Sequence, residues 1–152
     1  MAKFIFKMAG ILSIKEKLEE QAKVEYGLEI ARLREEEERL RQMAIRKEEY
    51  QSRLKESLKD RLNVREIKGL ENCVENIKYN MQLQRLTIKR QEAQVEKARQ
   101  KLDEAMKERK TYEKLKEKAF EEYKLELAAQ EQKEIDELVS FRYHSARESE
   151  VC

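Results

Sequence analysis

The chain contains no proline, no tryptophan and only three glycines in 152 residues. Because proline and glycine are the residues that most often end helices and form tight turns, their scarcity favours long, uninterrupted helices. Charged residues account for 43% of the chain and hydrophobic residues for 39%. Such a composition is typical of coiled coils, provided that the hydrophobic residues recur at helical spacing.

Residues that carry catalytic or metal chemistry are also scarce. The only histidine is His144, and the two cysteines, Cys73 and Cys152, lie far apart and form no C-x-x-C pair. A disulfide framework or a zinc site needs more of these residues in closer spacing, and the sequence has no glycine-rich phosphate loop. We therefore predict reduced thiols, no catalytic residue, no metal, no cofactor and no enzymatic activity.

Neither a charge excess nor a long hydrophobic run is present. The 34 basic and 32 acidic residues are interleaved and give a net charge of +2, whereas nucleic-acid binding needs an uncompensated basic patch. The apolar stretch at residues 4–14 is interrupted by Lys7, lacks a signal-peptide cleavage site, and is shorter than the ~20 residues that span a bilayer. We predict a cytoplasmic protein with no nucleic-acid partner and no direct membrane insertion.

Hydrophobic residues in the second half recur in alternating steps of three and four. Eleven of fourteen positions at this spacing are apolar, in the series Ile67, Leu70, Val74, Ile77, Met81, Gln84, Ile88, Gln91, Val95, Ala98, Leu102, Ala105, Arg109 and Tyr112. The first half repeats the pattern between Tyr26 and Leu58, with seven of ten positions apolar. This spacing predicts an all-α fold, a long antiparallel two-helix coiled-coil hairpin.

The two seams are separated by the stretch from Lys59 to Glu66, where the pattern is weakest. Asn63, followed three residues later by Glu66, is typical of a helix N-terminus. We predict one coiled-coil domain over residues 1–152, with helices at about 3–60 and 66–143, a turn at about 61–65 and a frayed tail at 144–152. The alternative is one continuous helix that dimerises in parallel.

A register for the hairpin follows from matching the two seams. If the numbers of facing residues add up to about 128, Leu33 faces Val95, and Glu37 faces Gln91 as a polar layer. One polar layer in an apolar seam costs stability but penalises slipped registers. The alternative is that Glu37 bends out to solvent.

Both chain ends carry more apolar residues than this register can cover. Residues beyond about 125 have no partner within the chain, yet they include Ile135 and Leu138, and the N-terminal end includes Phe4 and Phe6. Exposed apolar patches usually mark contacts with other molecules. We therefore predict that the two termini form a partner-binding tip; the alternative is that they fray or fold back on each other.

The same two ends resemble a known protein family. The N-terminal segment KFIFKMAGILSIKEKLEEQAKVEYG and the later segments ERKTYEKLKEKAFEEYKLE and AAQEQKEIDELVSFRY resemble the FliJ family of bacterial flagellar export proteins. The resemblance extends from Lys3 to about Tyr143, and its middle part is generic coiled coil.

This resemblance implies a component of the flagellar type III protein export apparatus, associated peripherally with the cytoplasmic side of the membrane at the flagellar base. FliJ-like proteins are similar to the central stalk of rotary ATPases, and the resemblance implies insertion into the hexameric export ATPase and promotion of its assembly. It also implies binding to the cytoplasmic domain of the export gate and a chaperone-like escort of export chaperones. The processes served would be flagellum biogenesis, motility and chemotaxis.

The resemblance also suggests which residues bind these partners. The candidates for the ATPase contact, at the tip formed by both termini, are Phe4, Met8, Ile11, Phe120, Tyr123, Ile135 and Leu138. The candidates for the gate contact, nearer the hinge, are Tyr50, Leu70, Val74 and Ile77; Tyr50 is the strongest because the predicted seam buries the other three. Two alternative functions are a self-associating coiled-coil scaffold and a general export chaperone that clamps its clients.

Overall fold

The computed structural model describes residues 3–59 and 62–151, with the side chains of residues 62–149 in the second part. Two helices, α1 (Ala9–Lys59) and α2 (Val64–Val151), pack against each other, and the described residues include no strand. The predicted all-α helical hairpin is therefore confirmed. The chain turns between Lys59 and Val64, so the alternative of one continuous helix is wrong.

The helix ends differ from the predicted ones in two places. Helix α1 begins at Ala9 instead of near residue 3, and the residues just before it lie outside any helix. Helix α2 continues to Val151, so a helix replaces the predicted frayed tail as far as that residue; Cys152 lies outside the described residues. The tail contains neither proline nor glycine, and nothing in its sequence ends the helix.

The start of α2 has the predicted cap. The Arg65 backbone N–H donates to Oδ1 of Asn63 at 3.2 Å, and the Ile67 N–H donates to the Asn63 carbonyl at 3.0 Å. The Asn63 side chain thus satisfies an amide that has no acceptor within the helix, and Glu66 places an acidic group in the first turn. This cap defines where the chain leaves the turn.

Replacing Asn63 by alanine is expected to lower the free energy of unfolding by about 1 kcal/mol, because the Arg65 amide loses its acceptor. Urea denaturation followed by circular dichroism measures this change. Asn72→Ala is the matched control: Asn72 is an exposed residue within α2, where alanine is the better helix former and stability should not fall. Equal stability of the two variants would contradict the capping role.

The chain divides into two compact units, which we describe separately. The hinge unit comprises residues 18–105 and contains the turn, and the terminal unit comprises residues 3–17 and 106–151. The buried apolar residues of the hinge unit have relative exposures below 10%. They are Ala22 of α1, which precedes the predicted seam of that helix, and the α2 seam residues Val74, Ile77, Met81, Ile88 and Ala98. The heptad pattern therefore identified the face of α2 that packs against α1.

The predicted register is wrong by about one heptad. The Gln91 side-chain amide donates to Glu29, which precedes the predicted partner Glu37 by eight residues. Glu37 is exposed to solvent, as the alternative interpretation of that residue proposed. The predicted register would centre the hairpin turn on Val64. In the structure Val64 is already the first residue of α2, so the connection between the helices lies earlier in the chain.

Candidate partner-binding surfaces

The described part of the chain contains no arrangement typical of a metal or membrane-spanning site. Among the described residues, no cluster of three or more His, Cys, Asp or Glu side chains is placed to bind a metal ion. Neither described helix has a segment long and apolar enough to cross a membrane.

Ionisable groups with shifted pKa values belong to ion pairs on the helix surfaces. Hydrogen bonds from Arg41 and then from Gln42 lower the pKa of the exposed Glu38 to about 2. In the terminal unit, the pKa of Lys15 is raised, chiefly by its hydrogen bond of 2.7 Å to Glu108. The first pair stabilises one helical turn, whereas the second joins α1 to α2.

In the terminal unit, the segment before α1 packs on α2 through an aromatic cluster. The Phe4 ring lies 5.1 Å from the Phe120 ring, edge to face, and 5.4 Å from the Tyr123 ring, measured between ring centroids. The Lys124 ammonium lies 4.6 Å from the Phe120 centroid. Edge-to-face contacts and cation–π contacts of this kind stabilise aromatic packing, so three of the predicted tip residues come together here.

A groove of about 620 Å³ adjoins this cluster, between residues 3–8 and α2. Phe4 and Met8 line one side, and Leu115, Ala119 and Tyr123 line the other. Met8 keeps 42% of its surface exposed, so an apolar side chain of another molecule could contact it directly. Ile11, the next predicted tip residue, is exposed to the same extent.

Helix α2 continues beyond the residues of the terminal unit that pack against the N-terminal segment. Leu127 is half-buried, but every residue from 128 to 149 is exposed. Ile135, Leu138 and Val139 are 53%, 60% and 61% exposed, and their spacing of three and four residues places them on one side of the helix. We call these three residues the C-terminal stripe.

The predicted tip residues thus form two separate groups within the terminal unit. Phe4, Phe120 and Tyr123 contact one another. Ile135 lies twelve residues beyond Tyr123 on the same helix, a rise of about 18 Å. A partner that contacts both groups must therefore extend along α2.

Most of the predicted gate residues face the interior of the hinge unit. Val74 and Ile77 are only 7% and 8% exposed, and Leu70 and Tyr50 are half-buried. A partner could reach Val74 or Ile77 only if the two helices separated. Among the four, Tyr50 and Leu70 offer the accessible surface.

The prediction missed an exposed apolar surface on α2 of the hinge unit. Tyr79, Leu83 and Leu86 are 62%, 45% and 51% exposed, and their spacing of i, i+4 and i+7 places them together on the side of α2 away from the core. We call these residues the outer stripe. Leu83 and Leu86 do not fit the heptad seam, and that departure is the signal from which the surface could have been predicted.

The outer stripe lies in the part of α2 where positive charge is least compensated. Residues 76–91 contain no Asp or Glu, but they contain four basic residues, Lys78, Arg85, Lys89 and Arg90. Within the described structure, Lys78 approaches Glu75 at 3.9 Å, and no ion pair involves Arg85, Lys89 or Arg90. The surface therefore combines exposed apolar side chains with available positive charge, which favours an acidic partner.

Comparison with known proteins agrees with the resemblance seen at the two ends of the chain. A sequence profile of the family described as "Flagellar FliJ protein" matches residues 4–148. Comparisons with curated proteins and with solved structures gave no significant match. Because the family match covers nearly the whole chain, the chain belongs to the flagellar FliJ family and is a component of the flagellar protein export apparatus.

Proposed function

We propose that the chain acts without catalysis of its own as a coiled-coil stalk that binds the hexameric export ATPase and promotes its activity. The observation that carries the proposal is the exposed end of α2: the C-terminal stripe lies in residues 128–149, all of which are exposed. A helix in water gains nothing from three exposed aliphatic side chains on one face, whereas a protein partner that covers them gains from their burial.

The aromatic cluster supports the same proposal. It attaches the N-terminal segment to α2 and so presents Met8 beside a groove. In this proposal the ATPase contacts the C-terminal stripe and the groove lined by Phe4 and Met8. Both surfaces belong to the terminal unit.

For the export gate, we propose that its cytoplasmic domain contacts the outer stripe, with the half-buried Tyr50 and Leu70 as separate, secondary candidates. The outer stripe offers exposed apolar area that Val74 and Ile77 do not. The basic residues around it favour an acidic segment of the gate. Escort of export chaperones and peripheral association with the membrane at the flagellar base would follow from these contacts.

The test is the rate of ATP hydrolysis by the purified export ATPase as the chain is added. A stalk that occupies a hexameric ring should stimulate hydrolysis at fewer than one chain per ATPase subunit, since one hairpin serves several subunits. Absence of stimulation and binding would contradict the stalk function. Binding of unfolded export substrates without the ATPase would instead support the alternative of a general export chaperone.

A further inference from the structure

The interior of the hinge unit contains two polar layers of the same construction. The Gln84 side-chain amide donates to the Glu36 carbonyl at 2.9 Å and to its carboxylate Oε2 at 2.5 Å. The Gln91 amide donates to the carbonyl and the Oε2 atom of Glu29 at 3.0 and 2.5 Å. Both glutamines take seam positions, and Gln84 is as buried as the apolar core residues.

The two layers are separated by the same distance on both helices. Glu29 and Glu36 are seven residues apart, and so are Gln84 and Gln91. Because the helices are antiparallel, sliding α1 by one heptad relative to α2 would bring Glu36 opposite Gln91. The slip would therefore form one new layer, between Glu36 and Gln91. If the glutamates or the glutamines were not seven residues apart, a slip of one heptad would lose both layers.

The slipped register would keep only one of the two amide–carboxylate hydrogen bonds between the helices. Glu29 would face Ala98 and retain its ion pair with Arg32 at 3.0 Å. Gln84 would face Met43, which offers a backbone carbonyl but no carboxylate. Hydrogen bonds to charged groups are the stronger kind, so the loss of one disfavours the slipped register. The apolar seam itself does not discriminate, because a slip of one heptad matches seam positions with seam positions.

We propose that these two glutamine–glutamate layers select the register of the hairpin and define one specific alternative, a heptad away, in which Glu36 pairs with Gln91. In that alternative, α1 extends into the present turn, and α2 loses its first turn together with the Asn63 cap. The slip moves α1 along α2 by about 10 Å. Any surface composed of both helices of the hinge unit therefore exists in only one of the two registers.

The proposal predicts that two substitutions can transfer the hairpin to the alternative register. In Glu29→Leu/Gln84→Leu, the observed register retains no amide–carboxylate hydrogen bond between the helices, whereas the slipped register forms one between Gln91 and Glu36. The matched control is Glu29→Leu/Gln91→Leu, which exchanges the same residue types but removes one complete layer. The control preserves the Glu36–Gln84 layer only in the observed register.

Disulfide formation reports the register in a background with Cys73→Ser and Cys152→Ser. Leu33 lies between Glu29 and Glu36, and Ile88 lies between their glutamine partners, so Leu33→Cys/Ile88→Cys reports the observed register. Leu33→Cys/Val95→Cys reports the slipped one. Glu29→Leu/Gln84→Leu and its control are each combined with each cysteine pair. Non-reducing electrophoresis then measures the fraction of monomer that carries the intramolecular disulfide.

We expect the cysteine pair 33/95 to exceed the pair 33/88 by at least about tenfold in Glu29→Leu/Gln84→Leu, and the opposite preference in the control. Circular dichroism verifies that both variants are helical. Any result in which Glu29→Leu/Gln84→Leu does not favour the pair 33/95, including loss of both disulfides or of the helices, overturns the proposal.

Discussion

Ile135→Asp/Leu138→Asp is expected to weaken binding to the export ATPase at least about tenfold and to abolish stimulation at substoichiometric amounts. Burying an exposed aliphatic side chain contributes about 1.5–3 kcal/mol, and a charge in its place must be desolvated. Both residues are more than half exposed in the unbound chain, so the substitutions remove no internal packing. Titration of the ATPase with the variant, measured as binding and as hydrolysis rate, gives the result.

Lys133→Asp is the matched control for this double variant. It changes the net charge by the same two units and lies in the same exposed segment, but on the opposite side of α2 from the C-terminal stripe. The control should bind and stimulate as the unmodified chain does. If both variants lose activity equally, charge and not the stripe determines binding; if neither does, the stripe is not the ATPase contact.

Leu83→Asp/Leu86→Asp is expected to reduce binding to the cytoplasmic domain of the export gate at least about tenfold while leaving ATPase stimulation unchanged. The two substitutions remove apolar area from the outer stripe and reduce the positive charge around it. Because this surface faces away from the core, the thermal unfolding midpoint should change little. Surface-immobilised gate domain and the ATPase assay measure the two effects separately.

Lys55→Asp is the control for the outer stripe, since it makes the same change in net charge at an exposed position of α1 in the same unit. It should leave gate binding unchanged. Loss of gate binding in Tyr50→Ala with full binding by Leu83→Asp/Leu86→Asp would instead identify Tyr50 as the contact and contradict the assignment of the outer stripe.

The features of the fold that could be predicted from the sequence are those with a local cause. The seam containing Val74, Ile77 and Ile88 follows from heptad spacing, which the helix period determines within a few turns. The start of α2 follows from Asn63, whose side chain caps the adjacent turn. Each of these features depends on residues close together in the chain.

The register could not be predicted from the same pattern because it depends on residues far apart. A seam with a seven-residue repeat matches its partner almost equally well after a slip of one heptad. The discriminating groups are Glu29 and Glu36, which pair with the two seam glutamines. Neither glutamate was identified as a seam residue, because the prediction selected Glu37 and assumed a later turn.

The candidate site was predictable in part for a similar reason. The sequence shows an excess of apolar residues at both ends, and the structure places Phe4, Phe120 and Tyr123 in contact. The sequence could not show that Phe4 belongs to a segment outside α1, because the position of that segment depends on its packing against α2. The outer stripe was missed because the heptad pattern describes only the seam, and Leu83 and Leu86 lie outside it.

The most direct test of the account is amide hydrogen exchange of the chain, measured by mass spectrometry with and without the export ATPase. In the free chain, residues 128–149 should exchange fastest among the helical segments, because no side chain there packs against another helix. Binding of the ATPase should slow exchange across this segment. Unchanged exchange there in a saturated complex would contradict the claim that the exposed end of α2 binds the ATPase.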